Sequence, residues 1–326
     1  MENLKCYGNI FKGNSWAKIF MEIRDAILTN ANEVESRIGK TLELINPTII
    51  LTDPKRNLFY SEKRKFSLIY ALVESYKLFS DKANVCDFSF FNKTMDKYSD
   101  DGVTINSAYG QYIAPHIQQL CDKLKSDKDT RQAVIRIYDT HFGIEDETKD
   151  VPCTLNLHFM IRNDKLNLTT YMRSNDLIWG LQYDLFVFTA LQQIVANEIG
   201  VDVGYYIHCP TSLHVYDYHW DLLKSIESVV EPKTIPFFDG TVQAANNANK
   251  IEEFIKVAKK MQAESVNNNI LYKVKILRFL DNYNDSNIQM KLIINEILYK
   301  FGLLDYVDLE SEDIANYKCY FKRWYK

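Results

Sequence analysis

No apolar run in this chain reaches the roughly 18 residues that a membrane-spanning helix needs, so no membrane partner is expected. Nor do any two of the six cysteines (Cys6, Cys86, Cys121, Cys153, Cys209, Cys319) stand at Cys-x-x-Cys spacing. That absence removes the usual zinc motifs and any evident disulfide framework, leaving reduced thiols and no metal as the expectation. The opening MENLKCYGNIFKGNSW has no signal-peptide core, so a cytoplasmic location is expected. Charge of one sign is not in excess: 39 basic against 43 acidic residues give a formal net charge of −4. A nucleic-acid-binding surface usually needs a basic excess. A small anionic ligand needs only a few convergent arginines and stays open. There is no internal repeat and no low-complexity tract beyond the short NNANK and VNNN stretches.

What is present is 326 residues, 46% hydrophobic, enough for one large core or two smaller ones. Helical spacing predicts a first helix from Trp16 to Ile38 and a second over FSLIYALVESYKLF (66–79). Strands are expected in 42–54, broken at Pro47. IAPHIQQLCDKLKS reads as a helix and AVIRIY as a strand. TLNLHFMIR and KLNLTTYMR read as a strand pair turning at Asn163-Asp164. A helix from Asp184 to Ile199, closed by Gly200, precedes the strand candidates VGYYIHC and SLHVYDYH. The remainder is Lys/Glu/Asn-rich helical text. The expected organisation is an α/β (α+β) catalytic unit over 1–235 and a helical extension over 236–326 packed on it.

The chemistry concentrates between Val151 and Trp220. Cys153 follows a proline and leads into a strand. As a nucleophile it needs nearby positive charge, which Arg131 and Arg173 would supply if the fold gathers them. A lone cysteine is more often a buried, inert thiol. Arg173-Ser174 offers a guanidinium and a hydroxyl suited to phosphate. Nothing in their own surroundings marks Arg37 or Arg131 as more than surface cations. His214 and Tyr216 share one face of a strand, either to hold a sugar hydroxyl or as core residues. Glu74 lies in an apolar helix, where a carboxylate is costly unless it is functional or paired locally with Lys77.

Pro152-Cys153, Arg173-Ser174-x-Asp176, Gly180 and His214-x-Tyr216, with Arg37, Glu74 and Tyr109-Gly110 upstream, together resemble the thymidylate synthase superfamily. The resemblance spans roughly residues 35 to 220 and rests on the joint match. It implies a homodimer built on a large mixed sheet with flanking helices. It also implies one-carbon transfer to carbon 5 of a pyrimidine nucleoside monophosphate, with 5,10-methylenetetrahydrofolate as co-substrate. Cys153 would add to ring carbon 6, Glu74 would manage proton transfers through water, and Tyr109 would help remove the carbon-5 proton. Arg37, Arg173 and Ser174 would hold the phosphate, with Arg131 reaching in from the partner subunit. His214 and Tyr216 would bind the 3′-hydroxyl, and Asp176 and Gly180 would approach the folate.

Three departures narrow the resemblance. Asp184 stands where the synthases place an asparagine that reads uracil. An ionised carboxylate only accepts, so it favours the amino group and a protonated N3 of cytosine over a uracil carbonyl. The alternative is that Asp184 merely caps its helix. Gln132 stands where a second arginine is usual, and the ending CYFKRWYK is unlike the synthase segment that closes over folate. The pattern is closest to (deoxy)cytidylate 5-hydroxymethylases, in which water captures the transferred carbon. A thymidylate synthase proper, or a catalytically idle nucleotide-binding homologue, are the alternatives.

Overall fold

Period-two alternation in the strand text sorts side chains onto two faces, and the strands assemble into two sheets. In the computed structural model, which describes residues 4–140, 144, 148–264, 287–300 and 312–325, the larger sheet is six-stranded. It holds β1 (Ile10–Gly13), β4 (Thr48–Leu51), β5 (Val134–Arg136), β6 (Thr154–Arg162), β7 (Lys165–Met172) and β9 (Asp202–Pro210), in the order β1-β4-β9-β7-β6-β5. It is mixed: β1 with β4 and β7 with β9 run parallel, the other pairs antiparallel. The smaller sheet orders β2 (Asn32–Ser36), β3 (Gly39–Ile45), β10 (Ser212–Tyr216) and β8 (Asn175–Asp176).

The helices are α1 (Trp16–Asn30), α2 (Leu68–Lys77), α3 (Val85–Ser89), α4 (Gly110–Ile113), α5 (Ile117–Ser126), α6 (Leu181–Ile199), α7 (Trp220–Ser225), α8 (Thr241–Glu264) and α9 (Ile288–Lys300). α6 is buried along most of its length and packs on β7, β9, α2 and α5. It covers the inner face of the large sheet, where Leu157, Phe159, Leu168 and Tyr206 are sealed from solvent. The outer face is less covered: Ile10 is 70% exposed, Tyr205 53% and Val134 48%. The extension joins the same core through Ala244, Ile251, Leu292 and Ile293. It is also tied by charge, with Lys77 Nζ 3.0 Å from Asp87 and 2.6 Å from Glu252. Among the described residues no helix is long and apolar enough to cross a membrane.

The large mixed sheet with flanking helices is as the sequence led us to expect, but three boundaries differ. α1 stops at Asn30 because Ala31 turns to extended geometry (φ −66°, ψ 150°) and Asn32–Ser36 pairs with β3. Tertiary pairing outweighs the helical period there. The helix expected over IAPHIQQLCDKLKS divides into α4 and α5 around Pro115, whose ring has no N–H to donate. α6 begins at Leu181 rather than Asp184. The Asn163-Asp164 turn forms with both residues at φ 54°, and Gly200 closes α6 at φ 74°.

Candidate active site

α2 brings Glu74 to the cleft. Ser67 caps the helix by accepting from the Tyr70 N–H at 3.3 Å, and nearly every residue from Leu68 to Lys77 is buried. Glu74 is half-buried and, among the described residues, has no cation beside it. Burial pushes its carboxyl up to about 8; the Tyr70 hydroxyl opposes this and the Asp184 charge adds to it. The local pair with Lys77 does not form, because Lys77 is committed to Asp87 and Glu252. Gly110 then ties α4 to the end of α2. A Cβ there would lie 2.1 Å from the Lys77 carbonyl oxygen and 2.2 Å from that of Ser80, so only glycine permits the approach. Tyr109, one residue earlier, stacks on Phe188 of α6 with centroids 5.6 Å apart. Burial raises its hydroxyl well above the usual range, with Asp184 and Cys153 adding to the effect.

Cys153 stands at the end of the loop entering β6. Arg173 braces that loop: its N–H donates to the Cys153 carbonyl at 2.9 Å, Nε to Pro152 O at 3.1 Å and Nη2 to Val151 O at 2.8 Å. Burial nonetheless pushes the thiol up, Arg173 only partly offsetting it while Asp184 and Asp150 reinforce it. Of the two arginines expected at this thiol, the fold delivers Arg173 alone. Arg131 is exposed three residues before edge strand β5, where its carbonyl lies 3.1 Å from His158 Nε2. No described contact joins it to the cleft.

Asp184 sits in the first turn of α6, and its backbone N–H already donates to Gly180 O at 3.0 Å. It is therefore inside the helix and not its cap. Its carboxylate accepts from Asn175 Nδ2 at 2.7 Å. Burial pushes it up to about 7 and the Asn175 bond pulls the other way. Behind Asn175 runs a buried polar chain that sequence reasoning missed. Asn175 Oδ1 faces His208 Nε2 at 3.2 Å, His208 Nδ1 faces the Tyr206 hydroxyl at 2.9 Å, and that hydroxyl lies 3.2 Å from Thr170 Oγ1. Thr170 pairs with His208 across β7 and β9, a juxtaposition that period-two alternation in two strands could have suggested.

The neighbouring residue, Asp176, points its carboxylate at the Ile178 and Trp179 N–H groups, 2.6 and 2.9 Å away, and pairs with His214 in β8–β10. His214 and Tyr216 do share a face, their rings 5.0 Å apart and edge-on. Burial raises the Tyr216 hydroxyl; Asp176 and Cys153 add to this and Arg37, in the β2–β3 turn, opposes it. Glu74, Tyr109, Cys153, Arg173, Asp176, Asp184, His214, Tyr216 and Arg37 thus converge, and half-buried Ser174 lies between two of them. A Cβ on Gly180 would stand 3.0 Å from Asn175 Nδ2 and 3.2 Å from Asp176 O.

Close to Asp176, aromatic rings enclose a buried arginine. Arg64 is buried, donating Nε to Ile178 O at 2.7 Å and Nη1 to Gln182 Oε1, with its guanidinium over the Phe59 and Phe66 rings. Burial pushes it down to about 10, with Tyr183 and Asp176 opposing. Its Nη2 meets no hydrogen-bond partner among the described residues. Tyr183 and Tyr320 pack on Phe66 beside it, and Tyr320 donates to Phe59 O at 3.1 Å. The C-terminal segment therefore reaches these rings although its sequence is unlike the closing segment of the synthases. Among the described residues no cluster of three His, Cys, Asp or Glu side chains could hold a metal.

Comparison with known proteins places this geometry. The chain is 34% identical over 239 residues to the deoxyuridylate hydroxymethyltransferase of Bacillus phage SP01, covering 67% of this chain and 62% of that protein. It is 30% identical over 251 residues to the deoxyuridylate hydroxymethyltransferase of Delftia phage PhiW-14, covering 72% of this chain and 69% of that one. Thermostable thymidylate synthase A from Bacillus subtilis shares the fold, with a TM-score of 0.58 at 21% identity over 67% of this chain and 87% of its own. The thymidylate synthase family profile matches residues 18–266, and the chain belongs to that family.

Proposed function

We propose that the protein catalyses folate-dependent 5-hydroxymethylation of a pyrimidine nucleoside monophosphate, with a cytosine nucleotide (dCMP or CMP) as the substrate. The observation that carries the cytosine reading is the Asp184 carboxyl, inside the cleft with Cys153 and Glu74 and fixed by Asn175. The names of the phage relatives support hydroxymethyl transfer as the reaction class.

In this reading Arg37, Arg173 and Ser174 hold the phosphate, and His214 and Tyr216 the 3′-hydroxyl. The Cys153 thiol adds to ring carbon 6, which makes carbon 5 nucleophilic. Burial holds the thiol neutral, so its proton passes to water in the cleft as the sulfur adds to carbon 6, with Arg173 favouring the thiolate. Glu74, neutral below about 8, is poised to deliver and reclaim protons through water. Tyr109 helps remove the carbon-5 proton, and tetrahydrofolate departs unoxidised. Water adds to the exocyclic methylene left on carbon 5, and restoring the 5,6 double bond releases Cys153 from carbon 6. Methylenetetrahydrofolate, when bound, supplies the one-carbon unit. The residues present fit it: Arg64 has a buried donor to spare, Tyr183 and Trp179 offer aromatic surface, and Asp176 and Gly180 border them.

The dimer belongs to the same proposal. The outer face of the large sheet carries Tyr205, Tyr171 and Val134, a partly apolar surface suited to a second copy. Arg131, exposed at that sheet's edge, would then enter the partner's phosphate site. Residues 1–235 form the catalytic unit and 236–326 an extension, whose α8 and α9 pack on α2.

A uracil nucleotide is the second reading. The phage relatives are named for deoxyuridylate, and a carboxyl raised to about 7 spends time neutral. A neutral acid offers a donor and an acceptor, as an amide does. CMP, dCMP, UMP and dUMP, each given with methylenetetrahydrofolate, separate the two. Tritium release from carbon 5 of a cytosine nucleotide, with a hydroxymethyl product, is the expected result. Faster turnover of dUMP sinks the cytosine reading, and dihydrofolate as product sinks hydroxymethylation.

A further inference from the structure

Asp184 is not an isolated carboxylate. Its Oδ2 accepts from Asn175 Nδ2 at 2.7 Å, and with that amide committed, Asn175 Oδ1 faces His208 Nε2 at 3.2 Å. An oxygen there requires a hydrogen on Nε2. His208 is fully buried and burial alone pushes it down to about 3, so it is neutral and Nδ1 must be its acceptor. The Tyr206 hydroxyl, 2.9 Å from Nδ1, is the donor that satisfies it. Thr170 Oγ1, 3.2 Å from the Tyr206 oxygen, anchors the far end. With the Tyr206 hydrogen given to His208, the Thr170 hydroxyl donates to the Tyr206 oxygen, and the chain delivers an N–H to the carboxylate.

Space enforces the same arrangement. Asn175, His208, Tyr206 and Thr170 are all buried. A Cβ on Gly180 would sit 3.0 Å from the Asn175 amide nitrogen and press on the amide that Asp184 and His208 hold from both ends. The ionisable groups around Asp184 are Glu74 from α2, Tyr109 before α4, Cys153 before β6 and Tyr206 from β9. None of these is a cation. Asn175 is the group that favours the ionised carboxylate.

Resting on the assignment of Asp184 to the base, we infer that Asn175, oriented by His208 and Tyr206, is a specificity-determining positioning residue. It makes Asp184 a weaker base, so a proton shared between the carboxylate and the nucleobase moves onto the base. Cytosine can take that proton on its basic N3 and then donates from N3 and the amino group to the carboxylate, a charge-assisted pair. Uracil has no comparable basic site at O4 and needs the neutral acid instead. The chain therefore favours cytosine without touching substrate.

The test is the ratio of dCMP to dUMP binding by the full chain, read by calorimetry without folate, alongside the ratio of their turnovers. Ratios within one preparation cancel differences in folded fraction. Asn175→Ala is expected to lower the cytosine preference roughly tenfold, the loss for one hydrogen bond to a charged group. Tyr206→Phe, which keeps the ring and removes the hydroxyl that sets the His208 tautomer, is expected to lower it by about threefold. Should Asn175→Ala fail to accumulate, Tyr206→Phe decides alone. Unchanged ratios in these variants, with Asp184→Asn still shifting preference towards uracil, overturn the role of the chain and leave the base assignment standing. If Asp184→Asn shifts nothing, the base assignment itself falls, and this inference with it.

Discussion

Two sets of carboxylates gather at Lys77 and at Glu74, three residues apart on α2, and they are treated in opposite ways. Around Lys77 the charges are paired: Asp87 and Glu252 close on the same ammonium, Lys82 adds a second cation at 2.7 Å and the Ser80 hydroxyl donates to Glu252. Burial works against the Glu252 charge, but Lys77 and Lys82 outweigh it and hold its carboxyl below the usual range. Three residues earlier Glu74 faces the cleft with no cation, and across from it Asp184 has only an amide. Both are pushed up. A charge that stabilises a fold is paired, whereas a charge left unpaired at a cost in stability points to chemistry.

That contrast can be broken in order of effect. Cys153→Ala should abolish turnover, on the order of 10^4-fold or more, while nucleotide affinity measured by calorimetry stays near the parent value. Full activity in that variant would remove the covalent mechanism. Glu74→Gln should cost roughly 10^2- to 10^4-fold in kcat, with urea denaturation showing no loss of stability, since an amide is cheaper to bury than an unpaired carboxylate. Lys77→Met should do the reverse. It strands the buried Asp87 and leaves Glu252 with Lys82 alone, at a cost of about 3–5 kcal/mol, read as a lower urea midpoint, while kcat per folded molecule is preserved.

The two regions also carry opposite pH signatures. Glu74 and Asp184 are raised in the folded chain, so the folded state binds more protons than the unfolded one between the ordinary carboxylate range and their own values of about 8 and about 7. Stability from them therefore declines as pH rises through that window and levels off above it. Glu252 is depressed, so its stabilisation is present above the ordinary range and is lost as pH falls below it. Denaturation midpoints from pH 4 to 9 should show both slopes, and the Glu74→Gln, Asp184→Asn double variant should flatten only the upper one. The smallest effect is expected from Gly180→Ala, a loss of turnover of about tenfold or less, because the Asn175 amide must yield a few tenths of an ångström. An unchanged rate would show that the amide has room to move.

Much of this was legible in the chain because the informative features are local. The Asn163-Asp164 turn, the closing Gly200, the shared face of His214 and Tyr216 and the unusual Asp184 all show within a few neighbouring residues. What was not legible depends on distance along the chain. Lys77 and Glu252 are 175 residues apart, and that pairing, invisible in sequence, is what rules out the local Glu74–Lys77 pair. Asn175 meets His208 from 33 residues away. The run Asn32–Ser36 has helical spacing yet becomes a strand, because β3 offers it backbone partners that no local pattern reveals. Arg131 and Arg173 look alike in sequence and separate only once β5 is seen to lie at the edge of the sheet.

The shortest strand has a consequence of its own. β8 is two residues long, and alternation turns them opposite ways: Asn175 inward to Asp184 and His208, Asp176 to the N–H groups before α6. A single inserted or deleted residue between Met172 and Leu177 would exchange those faces at a stroke. Side chains here can be traded while the count of residues cannot, so variation within this segment should take the form of substitutions, with its length held constant.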